Sequence, residues 1–222
     1  MHTIRIWDLP TRLFHWLLAL CVIGLITTGT LGGAWMEWHL RLGYAVLALL
    51  LFRLVWGFLG GRWSRFASFV YSPRSLLRYL RGRAPLEHTA GHTPLGALSV
   101  FALLLALAAQ VGSGLMSDDE IATFGPLARF VSGETVSAAT GFHKDVGQYL
   151  VIGLLVLHLL AIAWYLFVKR QPLVQPMLKG DKQLPAPLPP SRDGRWDRAL
   201  AGALLGVCSA FVAWLVSVGY AP

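Results

Sequence analysis

Seven histidines, at positions 2, 15, 39, 88, 92, 143 and 158, are the side chains of this 222-residue sequence best suited to ligate a metal. Four of them, His15, His39, His143 and His158, lie within or at the edges of long apolar runs. A polar or ionisable residue inside a membrane span is costly to keep there, so such a position reads as a functional site. His143 and His158 are fifteen residues apart on one run. At 1.5 Å and 100° per residue they stand about 22 Å apart in depth and about 60° apart around the axis, on one seam at opposite leaflets.

The elements that must position them follow from composition. Hydrophobic residues make up 55% of the chain and charged residues 14%, against roughly 25% charged in soluble proteins, which excludes an ordinary soluble globule. Five runs, about Leu13 to Leu31, Trp38 to Leu59, Pro94 to Met116, Gly147 to Val168 and Ala199 to Val218, approach the ~20 residues a helix needs to cross a bilayer. The expected fold is all-α, an integral membrane protein with five spanning helices and no internal repeat or soluble domain. Pro10 and Pro94 stand at helix starts, where a missing N–H costs little. Trp7, Trp16, Trp35, Trp38, Trp63 and Trp196 fall near the ends of runs, where interfacial aromatics sit. The first run is too long for a signal peptide and carries His15, so it is read as an uncleaved span. Cys21 and Cys208 lie far apart in apolar runs and offer neither a disulfide framework nor a Cys-based metal site.

Charge then orients the spans. The net charge is +8, and the basic residues sit between the apolar runs rather than on a soluble domain, so the surplus reports topology and not a nucleic-acid partner. With the N-terminus on side one, that side holds fifteen basic residues and side two holds three, Arg41, Arg129 and Lys144, with Arg53 inside a span. The N-terminus is therefore expected in the cytoplasm and the C-terminus in the periplasm, across a bacterial inner membrane. Orientation places His15 and His158 toward the cytoplasm and His39 and His143 toward the outer face. The expected arrangement is two bis-imidazole sites stacked across the bilayer.

Neutral imidazole binds zinc, copper and haem iron alike, so ligand type alone does not choose the metal. Zinc normally takes three or four protein ligands, and neither pair has an obvious Cys, Asp or Glu neighbour at its depth. Two axial nitrogens suffice for haem, and Gly24, Gly29, Gly43, Gly112, Gly114, Gly147 and Gly153 would let a porphyrin approach the helices. No Cys-x-x-Cys-His occurs, so attachment would be non-covalent, as in haem b. Arg12 and Arg53 toward the cytoplasm, and Arg41 and Lys144 beside the outer ligands, are candidates to hold haem propionates. His92, just before Pro94, is a candidate quinone or propionate contact and a competitor of His15 for the inner iron; it is expected at the membrane surface, and His2 and His88 in solvated loops.

Three motifs sharpen this. Ile6-Trp7-Asp8-Leu9-Pro10-Thr11-Arg12-Leu13-Phe14-His15-Trp16, Gly91-His92-Thr93-Pro94-Leu95-Gly96-Ala97, and His143-Lys144-Asp145-Val146-Gly147 with His158, resemble the bacterial di-haem cytochrome b561 family, which includes the b-type cytochrome subunits of nickel-iron hydrogenases. The resemblance covers roughly residues 3 to 180. It implies a four-helix bundle holding two haems and exchanging electrons with membrane quinone on one side and a redox partner on the other. His15, His39, His143 and His158 match the family's axial-ligand positions.

The expected organisation is a di-haem domain over residues 1–180, a Pro-rich cytoplasmic linker over 181–195, stiff and extended and setting the last span apart, and a fifth transmembrane helix over 196–222 not needed to hold haem. Gly202-x-x-x-Gly206 in that helix would permit a homodimer. The outer segment from Ser117 to Asp145 reads as an exposed loop whose Asp118, Asp119, Glu120 and Glu134 could steer a periplasmic cytochrome c or redox enzyme. The function expected is electron transfer between quinone and such a partner, by a subunit rather than a stand-alone enzyme. Its rivals are a superoxide:quinone oxidoreductase acting alone and a haem-free transporter or metal carrier using the same histidines.

Overall fold

The computed structural model describes residues 1–119, 121 and 123–220; Glu120, one of the acidic residues of the outer segment, lies outside the described residues. Among those described, five helices are long and apolar enough to cross a membrane: α1 (Leu9–Leu31), α2 (Met36–Leu59), α4 (Pro94–Met116), α6 (Gln148–Phe167) and α7 (Arg195–Gly219). Between α2 and α4 lies the short helix α3 (Pro73–Leu80). The helix α5 (Gly133–Gly141) runs through a π-helical turn, Phe142–Gly147, into α6. The expected loop from Ser117 to Asp145 is thus helical from Gly133 onward. Ahead of it, Asp119 Oδ1 accepts from the N–H groups of Ile121 (3.0 Å) and Thr123 (2.8 Å).

The helices outrun the apolar runs where polar residues cap them. α1 starts at Leu9 rather than Leu13 because Asp8 is its N-cap, with Oδ1 accepting from Thr11 N–H at 2.8 Å, and Pro10 fits the first turn without a donor to lose.

The chain folds as two compact units, one comprising Met1–His15, Arg53–Ala102 and Val156–Gly202, the other Trp16–Phe52, Leu103–Leu155 and Ala203–Pro222. In the first unit Asp8 is fully buried and its oxygens accept from Thr11 N–H, Trp56 Nε1 (3.2 Å), Gly61 N–H (3.2 Å) and Ser64 Oγ (2.6 Å). One carboxylate thereby ties the start of α1 to the end of α2. Hydrogen bonds to a charged acceptor are the strong ones, which is what offsets the cost of burying it.

Residues 181–195 are not a free-standing connector. Asp181–Leu184 (β2) pairs antiparallel with His2–Arg5 (β1), in the register His2 with Leu184 and Arg5 with Asp181. Beyond it Trp63 Nε1 donates to Pro189 O (2.9 Å) and Ser191 Oγ to Ile6 O (2.7 Å). Arg5 bridges Asp181 and Asp193, both at 2.6 Å, and Asp193 Oδ1 also accepts from Leu9 N–H (3.1 Å). Burial opposes ionisation of Asp193, yet the hydrogen bonds from Arg198, Leu9 N–H and Arg5 outweigh it and hold its carboxyl below the usual range. Ile6, Trp7, Trp63, Ala90 and Leu184 form the apolar centre under this strap. Trp7 and Trp63 are therefore core residues, not the interfacial anchors expected of them, whereas Trp38 and Trp196 are exposed.

In the second unit Val46, Val111 and Leu115 form one cluster, and Val22, Ala106, Leu107 and Val151 another. The fifth helix is not set apart in either unit. Near its start Arg198 pairs with Asp193 (3.0 Å). At its other end Leu215 packs on the Val46 cluster, Tyr220 Oη meets Tyr44 Oη (3.0 Å) and donates to Phe124 O (2.7 Å).

Asp8→Ala removes an N-cap and strands three buried donors, so it should cost about 3 kcal/mol and lower the thermal unfolding midpoint followed by tryptophan fluorescence. Asp8→Asn, which keeps part of the set, should cost less; equal midpoints for wild type and Asp8→Ala would show that the hub carries no stability.

Candidate functional site

Of the four span histidines, His39 and His143 come together in the second unit, their ring centroids 6.1 Å apart and their planes at 86°. His39 sits in the first turn of α2, and its Nδ1 lies 3.1 Å from Leu25 O, with Thr28 Oγ1 at 3.3 Å. His143 sits in the π turn, and its Nδ1 lies 2.8 Å from Gln110 O, with Ser113 Oγ at 3.4 Å. A carbonyl can only accept, so in both rings Nδ1 carries the proton and Nε2 the lone pair able to ligate. The side chain of Gln110 reaches back as well, its Nε2 donating to His143 O at 3.0 Å. Such turns recur at functional sites because they free a helix carbonyl and re-aim a side chain.

The rings fit because the neighbouring helices are notched. A Cβ at Gly29 would fall 3.1 Å from His39 Cε1, and one at Gly114 would fall 2.8 Å from His143 Cε1. Leu25, Thr28 and Gly29 on α1 thus repeat the spacing of Gln110, Ser113 and Gly114 on α4: carbonyl, hydroxyl three residues on, glycine four residues on. Gly29 and Gly114 were expected to admit a porphyrin; what they admit directly is an imidazole. Gly43, Gly112 and Gly153 face open space.

The first unit holds the other pair. His15, near the start of α1, and His158, on α6, lie close enough for their charges to interact. Around them the protein gathers donors without acceptors. Arg53 is 3% exposed, lies over the Phe66 ring (4.7 Å to its centroid) and near Phe69 (6.0 Å), and its Nη1 has no hydrogen-bond partner among the described residues. The Phe66 ring approaches α2 closely at Gly57, where a Cβ would collide with it. Asp8 attracts Arg53, but its oxygens are already taken by the donors described above. Arg12 gives one N–H to Leu178 O at 2.5 Å while its Nε is buried and unmatched. His92 is not at the surface. Its ring stands between Trp7 (centroids 4.6 Å apart) and Phe69 (4.3 Å), and its Nδ1 is buried without a partner among the described residues. Burial, reinforced by the charges of Arg53, His15 and Lys182, pulls its pKa down to about 3, so the imidazole is neutral.

The two remaining cation candidates are occupied or exposed. Arg41 pairs with Glu37 and lies over Trp38, and Lys144 is exposed beside His143. His88, expected in a solvated loop, stacks on Tyr71 (centroids 4.7 Å apart) with its Nδ1 buried.

Among the described residues no three His, Cys, Asp or Glu side chains converge. The donor sets are imidazole pairs, suited to a group that brings its own equatorial ligands. Imidazole nitrogens sit about 2 Å from a metal they bind, so rings on opposite faces of one metal have centroids roughly 6 Å apart, as His39 and His143 do. Unmatched Arg53 and Arg12 donors, with the unmatched His92 Nδ1 beside them, complete the fit, since buried polar groups normally find partners and haem offers carboxylates. Helices that span a membrane and present paired imidazoles of this kind define a membrane b-type cytochrome.

The comparison of sequences agrees. The model of the prokaryotic cytochrome b561 family matches residues 6–180, and the chain belongs to that family. It is a multi-pass membrane protein that binds haem b and acts in electron transfer. No curated protein and no solved structure matches the chain. α7 lies beyond the matched residues.

Leu25, Thr28, Gln110, Ser113, Phe66 and Phe69 carry no chemistry legible in isolation, and their only sequence signal was the two glycines. Gly114→Leu should push the His143 ring from its notch and cut the haem absorbance of purified protein, while Gly112→Leu, facing open space, should leave it near wild type. Equal haem content in the two variants would show that the notch does not position the ring.

Proposed function

We propose that the chain holds two haems b, one between His15 and His158 and one between His39 and His143, and passes electrons between membrane quinone and a periplasmic cytochrome c or redox enzyme. The observation that carries this is the division of the four span histidines into two pairs, one in each compact unit, with the ring centroids of His39 and His143 only 6.1 Å apart. Haem b, when bound, supplies a reversible one-electron couple at iron.

The chain's own residues do the rest. The carbonyls of Leu25 and Gln110 hold the protons of the His39 and His143 Nδ1 atoms, fixing tautomer and ring orientation and strengthening Nε2 as a ligand. Arg53, with Arg12 and His92, offers charge-assisted hydrogen bonds to propionates in the first unit. Lys144, and Arg41 once it leaves Glu37, take this role for the other haem. The neutral His92 ring, between Trp7 and Phe69, is placed to accept or donate a single hydrogen bond to a quinone oxygen. Fifteen basic residues against three support an N-terminus in the cytoplasm and a C-terminus in the periplasm of a bacterial inner membrane. Quinone then reacts near the His15 and His158 haem, where cations stabilise its reduced form. Residues 1–180 carry both haems, the segment that follows straps the N-terminal strand, and Arg195–Gly219 forms the added helix.

An inhibitor that occupies quinone sites should perturb the absorption bands of the haem that His158→Ala removes and leave the haem that His39→Ala removes unchanged. His92→Ala should retain both haems and weaken the inhibitor by about tenfold, the loss of one hydrogen bond to a polar ligand. Perturbation confined to the other haem would reverse the assignment, and bleaching of the inner haem by His92→Ala but not His15→Ala would exchange their roles.

A further inference from the structure

Residues 62–83, between α2 and α4, carry six arginines, Arg62, Arg65, Arg74, Arg78, Arg81 and Arg83, and no acidic residue. Among the described residues none of the six forms an ion pair, and all six are exposed. So dense and exposed a positive charge, with no acidic residue in its own segment, suits anions from outside the chain.

The helix within this segment shows where they come from. α3 begins at Pro73 with Ser72 as its N-cap and has three distinct sides. Ser75 is buried, and Tyr79 is half-buried with its hydroxyl against that of Tyr165. Leu77 and Leu80 are 47% and 60% exposed. Arg74, Arg78 and Arg81, at spacings of four and three, line the remaining side. Tyr165 is two residues from the end of α6, so α3 sits level with the end of a spanning helix. An exposed apolar edge beside an arginine edge, at that depth, is the pattern of a helix lying in the membrane interface.

Next to it, the turns after α2 form a cavity of about 280 Å³ lined by Arg62, Trp63, Arg65, Ser68, Glu87 and His88. Arg62 lies over the Trp63 ring, and His88 Nδ1 is buried with no partner among the described residues. Two guanidinium groups and an imidazole suit a phosphodiester, and the single carboxylate, Glu87, suits a headgroup hydroxyl.

We propose that this surface binds anionic phospholipid, with Leu77 and Leu80 among the acyl chains, Arg74, Arg78 and Arg81 on the headgroup phosphates, and one headgroup seated in the Arg62, Arg65 and His88 cavity. A basic cluster at the end of a span, or on an amphipathic helix, reads as a site for anionic lipid. The surface depends on none of the cofactor assignments above.

The test uses the haem-loaded protein in phosphatidylcholine bilayers containing trace spin-labelled phosphatidylglycerol or phosphatidylcholine. The motionally restricted fraction of each probe gives their relative association. Wild type should favour phosphatidylglycerol by about threefold or more, and added salt should reduce the preference because it screens exposed charge. Arg62→Gln with Arg65→Gln, and separately Arg74→Gln with Arg78→Gln and Arg81→Gln, should each lower it toward unity with the haem spectrum unchanged. Lys169→Gln with Arg170→Gln, which removes two basic residues outside the surface, should leave it intact. No preference in wild type, or an equal fall in the Lys169 and Arg170 variant, would overturn the proposal.

Discussion

An imidazole inside a membrane has two nitrogens to satisfy and no water to satisfy them, and the arrangement around His39 and His143 answers to that constraint. One nitrogen is given to a helix carbonyl, of Leu25 for His39 and of Gln110 for His143. The approach needs a helix surface with no side chain over that carbonyl, and glycine four residues on provides it at Gly29 and Gly114. With Nδ1 fixed as donor, Nε2 is left as the one position from which each ring can bind iron.

In the unit that contains His15 and His158 the same economy takes another form. Asp8 is fully buried yet gives every acceptor site to Thr11, Trp56, Gly61 and Ser64, which makes it a structural anchor for the helix that carries His15. That leaves Arg53 as a buried cation held by aromatic faces and by attraction to Asp8 at a distance, without a hydrogen-bonded anion for its Nη1. A buried charge in that condition is strongly unfavourable unless something else supplies the partner. A cofactor with its own carboxylates would do so, and the proposed haem between His15 and His158 would bring them.

The spans were legible because hydropathy over about twenty residues marks a crossing, and depth along them is what led to the expectation of His15 beside His158 and His39 beside His143. The likeness carried by Ile6 to Trp16 and His143 to Gly147 is matched by the family assignment over residues 6–180. What escaped the sequence depends on partners far along the chain. β1 and β2 are four-residue polar strands with no apolar period, and Arg5 meets Asp181 across 176 residues. Trp63 looked interfacial by position and is buried because Pro189 O and Gly91 lie against it. The π turn that bears His143 shows in no composition signal, and the three-point repeat shared by Leu25, Thr28, Gly29 and Gln110, Ser113, Gly114 is too sparse to stand out from the surrounding helix.

The fullest test of two imidazole pairs holding two haems is a count. Haem b per chain, measured by absorbance after extraction into pyridine against protein by amino-acid analysis, should be two in wild type, one in His39→Ala and in His15→Ala, and none when both are replaced. One haem in the wild-type chain, or a second haem retained after loss of His39 or His15, would contradict the pairing.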